Sequence, residues 1–334
     1  MKNMLIIGAG GIAHRHIRGF LKTGRARLAI VEPDAQKRDA VRKDYGIERA
    51  YADISEADLP GFDGAVICAP AHVHVPLARK CAEAGLPFLL EKPLAVTLDG
   101  VDELLDAVRS KGLLARVAYV RRVAEDTIAF ATQVREGRIG TPKMCYINVS
   151  QDFPKYRPDF QRTYYAKKAM GGGALLDAGS HMIDLLLWML GPVSEVFSMY
   201  DRLVLEGTEV EDSALTSMRF ASGAMAQLSQ NQFQKPNVAT LEMIGTKGNL
   251  RFDLGAGVIR FAGDDSGHWD EQEFSGGGTP MERHELRFGR QADLFLDMLD
   301  GKPSLLATLD DARDNLRVVL AAKESYATGR MVKL

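Results

Sequence analysis

Over residues 1–120 the chain alternates short apolar runs with amphipathic stretches, a pattern that calls for a parallel sheet flanked by helices. The runs at 4–7, 28–31, 65–68, 88–90 and 113–119 read as strands, and 11–22, 35–44, 73–84 and 98–109 carry apolar positions at helical spacing. Such sheets bind their ligands outside the carboxyl ends of the strands. Residues just after each apolar run are therefore the first to search for chemistry.

The first run leads into Gly8-Ala9-Gly10-Gly11-Ile12-Ala13, directly before a helix. This is a G-x-G-x-x-A turn, whose glycines let the backbone approach a pyrophosphate while the helix N-terminus stabilises its charge. Glu32 stands at the end of the second run, where an acid accepts hydrogen bonds from ribose hydroxyls and repels a 2′-phosphate. NAD is thus expected over NADP, with Arg38 a further cofactor contact able to reach a phosphate. After the run 65–68 come Pro70, His72 and His74, the histidines as hydrogen-bond partners of ribose or phosphate. No acid stands beside them in sequence, and none of the cysteines has metal-site spacing. Glu91-Lys92-Pro93 follows the run 88–90, and a cationic Lys92 there suits stabilisation of a developing alkoxide.

Beyond residue 120 the pattern changes. A helix at 123–136 and a strand at 144–150 are followed by an irregular stretch, then a triple glycine, Gly171 to Gly173, opening a helix that stops at Gly191-Pro192. Four residues apart on that helix, Asp177 and His181 would share one face, a candidate pair for proton transfer. Residues 193–261 then read as strands without intervening helices, with Ala221-Ser222-Gly223 as a hairpin turn, which suggests a largely antiparallel sheet. Helices at 282–299 and 309–327 close the chain, after a Gly-rich loop at Gly276-Gly277-Gly278. The loop 153–168 holds Lys155, Tyr156, Arg157, Arg162, Tyr164, Lys167 and Lys168, with Asp159 its only acid. Aromatic rings stack on sugars and basic groups read carboxylate or phosphate, which makes Tyr156, Arg157, Arg162 and Tyr164 substrate-binding candidates; a solvated loop or subunit contact is the competing reading.

At 334 residues the chain has room for two domains, and 42 basic against 44 acidic side chains give no general attraction to nucleic acid or anionic membranes. Three scattered cysteines form no disulfide framework and fit a reducing compartment. No apolar run is expected to span a bilayer. The expectation is a cytoplasmic protein.

These residues resemble the Gfo/Idh/MocA family of glucose-fructose oxidoreductase, inositol dehydrogenase and related sugar dehydrogenases. The resemblance rests on Gly8-x-Gly10-x-x-Ala13, Pro70 with His74, Glu91-Lys92-Pro93, the run ending at Asp177 and His181, Glu211-Asp212, Gly245-Thr246-Lys247-Gly248 and Gly301-Lys302-Pro303. It implies an α/β chain: an N-terminal Rossmann domain with a parallel sheet over 1–120, which binds NAD(P), and an α+β domain over 121–334 with a large, mostly antiparallel open sheet. Residues Gly8, Gly10, Gly11, Ile12, Ala13, Glu32, Arg38, Pro70, His74, Glu91 and Lys92 would hold the cofactor. Lys92, Asp177 and His181 would be catalytic and contact the substrate, and the metal set is empty. The implied activity is hydride transfer between a nicotinamide and a secondary alcohol or ketone of a sugar, cyclitol or sugar derivative. A non-catalytic sensor and a redox-neutral NAD-dependent glycosidase are the alternatives within the family. The open sheet would join a homodimer or homotetramer. One departure is Val120, before Arg121-Arg122, where relatives often carry a polar residue.

Overall fold

A computed structural model describes residues 1–263, 267–274 and 279–334; the Gly276-Gly277-Gly278 loop lies outside them. The chain divides into two compact units, Met1–Val123 with Met281–Arg313, and Ala124–Pro280 with Asp314–Leu334. The first unit takes back Met281–Arg313, which a boundary at 120 would assign to the second.

In the first unit the order is β1 (Lys2–Ile7), α1 (Gly11–Thr23), β2 (Ala26–Val31), α2 (Ala35–Tyr45), β3 (Arg49–Tyr51), β4 (Gly64–Ile67), α3 (His74–Glu83), β5 (Phe88–Leu90), α4 (Val101–Ser110) and β6 (Ala115–Val117). The six strands pair as β3-β2-β1-β4-β5-β6, all parallel, with Met4 opposite both Leu28 and Gly64. Residues 4–7 of β1 are buried without alternation, as in a strand covered on both faces. Helices α1 and α2 stop at Gly24 and Gly46, both in the left-handed region that glycine enters freely. The edge strand β3 is absent from the sequence pattern, because Arg49-Ala50-Tyr51 forms no apolar run.

The second unit holds α5 (Glu125–Arg135), β7 (Pro142–Asp152), α6 (Phe153–Tyr156), α7 (Ser180–Leu190), β8 (Val193–Asp201), β9 (Ser213–Phe220), β10 (Met225–Asn231), β11 (Phe233–Gly245), β12 (Asn249–Asp253), β13 (Val258–Ala262) and β14 (Asp270–Glu273). After them come α8 (Pro280–Leu299), α9 (Leu309–Thr328) and β15 (Val332–Lys333). Its sheet runs β14-β13-β12-β11-β7-β10-β9-β8-β15, and only the β10–β7 pairing is parallel. The expected hairpin closes β9 to β10: Phe220 N–H donates to Ala224 O at 2.8 Å, with Gly223 at φ +85°. Strand β9 alternates buried and exposed residues, so one face of the sheet is covered and the other open. The open face presents Tyr146, Phe197, Met199, Leu215 and Met225.

Helix α8 joins the first unit because its apolar stripe, Phe288, Ala292, Phe295, Leu296 and Met298, is part of the core built on β1 and α1. A Cβ on Gly19 of α1 would stand 2.8 Å from Phe288 O, so glycine is what lets α1 and α8 approach. Burying each phenylalanine contributes roughly 1.5–3 kcal/mol. By length and composition alone the stretch Lys168–Leu190 could cross a membrane, although Asp177, His181 and Asp184 interrupt its apolar residues. Leu175, Leu176, Met182, Ile183, Leu185 and Leu186 are buried in it, and it serves as core.

Candidate active site

Strand β1 delivers the chain to Gly8 at φ +102°. A Cβ there would lie 3.0 Å from the main chain of Cys68 and Ala69, so only glycine lets this turn close on the end of β4. Gly10 caps α1 without any side-chain hydrogen bond, and a Cβ on Gly10 or Gly11 would meet nothing within 4 Å. Open space thus lies over a helix N-terminus whose first N–H groups lack intrahelical partners, the cradle a pyrophosphate needs. Ile12 is half-buried and Ala13 fully buried, fixing the first turn of the helix.

Glu32 reaches back onto this turn. Its Oε2 accepts from Ala9 N–H at 2.8 Å and its Oε1 from Asp34 N–H at 3.0 Å, and the residue is 8% exposed. Each oxygen keeps a lone pair for a hydroxyl donor. The Arg38 guanidinium donates to Glu32 O at 2.7 Å and to Pro33 O at 3.4 Å, so it braces the turn after β2.

At the ends of β4 and β5 the polar groups are engaged mainly with main chain. Pro70 and His72 are exposed, whereas His74 is 1% exposed, its Nδ1 2.8 Å from Pro93 O and its Nε2 2.7 Å from Ala69 O. Burial pushes its pKa down, with the two carbonyls opposing. A neutral ring has one N–H, which one of the carbonyls accepts. The imidazole thus braces the β4 turn against Lys92-Pro93 instead of facing a ribose or phosphate. Glu91 is 5% exposed; Oε1 lies 2.6 Å from His16 Nε2 and Oε2 accepts from Lys92 N–H at 3.0 Å. Lys92 itself is half-buried.

In the second unit Asp177 and His181 do not share one regular α-helix. Ala174–Gly179 forms a wider π turn, and α7 begins at Ser180, so Asp177 lies in the wide turn and His181 in the first α turn. The cause is local. Gly173 sits at φ +102°, where a Cβ would be 2.5 Å from the Glu211 carboxylate, and a Cβ on Gly172 would be 2.0 Å from Tyr165 O. Glu211, 7% exposed, accepts from Leu175 N–H at 2.9 Å, while its own carbonyl accepts from Ala174 N–H at 3.0 Å. Burial holds its pKa above the usual carboxylate value, against the pull of Lys323. Burial likewise lowers the pKa of Lys323. Asn315 Nδ2 donates to Ser180 O at 2.7 Å and fixes the start of α7.

The loop 153–168 packs by a small core of Phe153, Phe160 and Tyr165 with Leu205. Tyr164 OH donates to Asp177 Oδ1 at 3.1 Å, which ties the loop to the wide turn. The Tyr156 hydroxyl accepts from Asn237 Nδ2 at 3.0 Å. Arg157 and Arg162 are exposed.

Residues 2–119 match the model of an oxidoreductase family with an NAD-binding Rossmann fold, and residues 129–251 match the GFO/IDH/MocA C-terminal domain. The chain belongs to the GFO/IDH/MocA family of oxidoreductases, and its first unit carries the NAD-binding Rossmann domain. It is 27% identical over 338 residues to the uncharacterized oxidoreductase YrbE of Bacillus subtilis, covering 98% of this chain and 95% of that one. Myo-inositol 2-dehydrogenase of Thermotoga maritima is 25% identical over 339 residues, at 98% and 97% coverage. An oxidoreductase from Agrobacterium radiobacter, solved with NAD+, L-tartaric acid and magnesium, superposes with a TM-score of 0.87 at 20% identity, covering 99% of this chain and 98% of that one.

His16, bonded to Glu91, is the buried polar residue of this corner that motif reasoning misses. Its one signal is a histidine in the apolar stripe Ala13, Ile17 and Phe20 of α1, all buried. Nothing in the sequence joins it to Glu91, which lies 75 residues on.

Proposed function

We propose that this chain transfers a hydride between NAD and a secondary alcohol or ketone of a sugar, cyclitol or sugar derivative, with Lys92, Asp177 and His181 as its reacting groups. The first unit, Met1–Val123 with Met281–Arg313, serves the cofactor, and the second serves the substrate and self-association. The observation that carries this reading is that all three groups are intact in a chain that aligns over 98% of its length with a dehydrogenase of myo-inositol.

NAD, when bound, would supply the hydride acceptor for the carbinol carbon, or the donor in the reverse direction. The Gly10-Gly11 cradle would hold its pyrophosphate, and Glu32 its adenosine ribose. His181 accepts the hydroxyl proton as the C–H bond breaks, and gives it back in the reverse direction; an imidazole suits this because its pKa lies near neutrality. Asp177, held by Tyr164, orients the ring or a neighbouring hydroxyl. The Lys92 ammonium stabilises the alkoxide that develops on oxygen. Arg157 and Arg162, with Tyr156 and Tyr164, meet the part of the substrate remote from the reacting carbon. The exposed apolar face of the second unit's sheet joins two or four copies, in the cytoplasm.

The test is a screen of sugars, cyclitols and their uronic and phosphorylated derivatives with NAD and NADP, following nicotinamide absorbance. Turnover of at least one polyol with NAD supports the reading; NADH binding without turnover of any member would leave a sensor.

A further inference from the structure

In the first unit a carboxylate is buried where an apolar side chain would pack. Glu91 and His16 have side chains 6% and 1% exposed, and His16 lies on the face of α1 that carries Ala13, Ile17 and Phe20 into the core. The ring also stands edge-on to Phe288, centroids 5.1 Å apart. Removing both groups from water is costly, and well-packed apolar replacements of such pairs are often as stable or more so. Stability is therefore a poor account of the pair. Direction is a better one, because the carboxylate spends its second oxygen on a single main-chain group, Lys92 N–H at 3.0 Å.

We propose that His16 and Glu91 are positioning residues for Lys92, a relay that runs from the helix following the dinucleotide turn, through a buried carboxylate, to the backbone of the lysine. This rests on the reading that Lys92 is a reacting group. The chain of contacts is short and directional. His16 Nδ1 is buried without a hydrogen-bond partner in the described structure, so the ring proton sits on Nε2 and is given to Glu91 Oε1 at 2.6 Å. Glu91 N–H donates to Ile67 O at 2.9 Å, fixing the residue to β4. On the other side, Pro93 O faces the buried His74 ring. Lys92 is thus bracketed by two histidines of the first unit, one acting through the carboxylate before it and one on the carbonyl after it. A displacement of Lys92 by a fraction of its side-chain length would misplace the ammonium, and an error of about 1 Å in such a group can cost roughly a hundredfold in rate.

The test is a mutant cycle with the polyol of the screen that turns over fastest, myo-inositol being the first probe. His16→Phe keeps the ring volume and removes the donor; His16→Gln returns an N–H close to the position of Nε2. His16→Phe is expected to lower kcat about tenfold or more with KM values within about threefold, His16→Gln to recover most of the loss, and His16→Phe to add nothing in a Lys92→Ala background. A readout that needs no substrate accompanies it: trinitrobenzenesulfonate labelling of the apo protein, resolved by peptide mass. In His16→Phe the labelling rate of Lys92 should change by about threefold or more while other lysines keep theirs. Should His16→Phe fail to fold, Glu91→Gln replaces it, since its amide turns an N–H toward His16, and the same non-additivity is required. Unchanged kcat and Lys92 labelling in folded His16→Phe, no recovery in His16→Gln, or an equal further loss in the Lys92→Ala background would each overturn the relay. Normal turnover in Lys92→Ala would instead overturn the role of Lys92 itself.

Discussion

The strand-end corner of the first unit and the loop 153–168 of the second are built on opposite plans. Around Lys92 the polar groups are buried and tied down: His74, Glu91 and His16 are each no more than 5% exposed, and all three bond within the unit. In the loop the apolar residues Phe153, Phe160 and Tyr165 supply the anchorage, and Tyr156, Arg157, Arg162 and Tyr164 are exposed. A rigid, hydrogen-bonded corner suits a cofactor that is the same in every turnover. An exposed set on a packed base suits a substrate that differs between relatives. Changes at the corner should therefore strike the rate of the chemical step, and changes in the loop should strike recognition.

The largest effect is expected at the reacting groups. Lys92→Ala and His181→Ala should each lower kcat by about a hundredfold or more, with NADH affinity by fluorescence titration nearly unchanged in His181→Ala. Normal kcat in both would break the division of labour at its root. The loop comes next: Arg157→Gln with Arg162→Gln should raise KM for a carboxylated or phosphorylated substrate at low salt, by the roughly 1.5–3 kcal/mol of a charge-assisted hydrogen bond, and leave a neutral analogue alone. An equal shift for both substrates would make the loop a folding or subunit element. A smaller effect concerns the cofactor: NAD should bind about tenfold tighter than NADP, a difference of 1.4 kcal/mol, because Glu32 is held facing the glycine turn and Arg38 is bonded to the carbonyl of Glu32. Tighter NADPH binding would reverse the role of Glu32.

An effect of similar size, on stability instead of turnover, tests the burial of a histidine in the first unit. Burial, with the charges of Arg15, Arg287 and Arg121, pushes His284 down to about 3 from a usual 6.5. The unfolded chain then binds a proton that the folded one refuses, so stability is full above about pH 6.5 and falls as the pH drops toward the folded value. At pH 5 the loss is about 1–2 kcal/mol, and urea melts should show His284→Gln less sensitive to acid over this range than the parent chain. Identical pH dependence in both would mean the ring is freely protonated in the fold.

What could be read in the chain beforehand follows from whether the signal was local. The dinucleotide turn was legible because glycine geometry and a helix start lie within six residues, Gly8 to Ala13. The strands of the parallel sheet were legible as apolar runs, except β3, whose three residues owe their pairing to β2 and not to their own pattern. The wide turn at Ala174–Gly179 was not legible: the spacing of Asp177 and His181 fits an α-helix, and the π geometry depends on Glu211, which lies 36 residues beyond Leu175. Nor was the docking of α8 on α1, since an apolar stripe shows that a face is buried without showing against what. Sugar or cyclitol chemistry entered by resemblance, because no single side chain states which hydroxyl it meets.

The most direct measurement follows the hydride. A polyol active in the screen, deuterated at its carbinol carbon, is incubated with the protein and NAD, and the reduced cofactor is weighed by mass spectrometry. Direct transfer predicts one deuterium in the nicotinamide of the product, formed by the parent chain and suppressed about a hundredfold in His181→Ala. Reduced cofactor free of deuterium, or label arriving at the same rate in His181→Ala, would contradict the account.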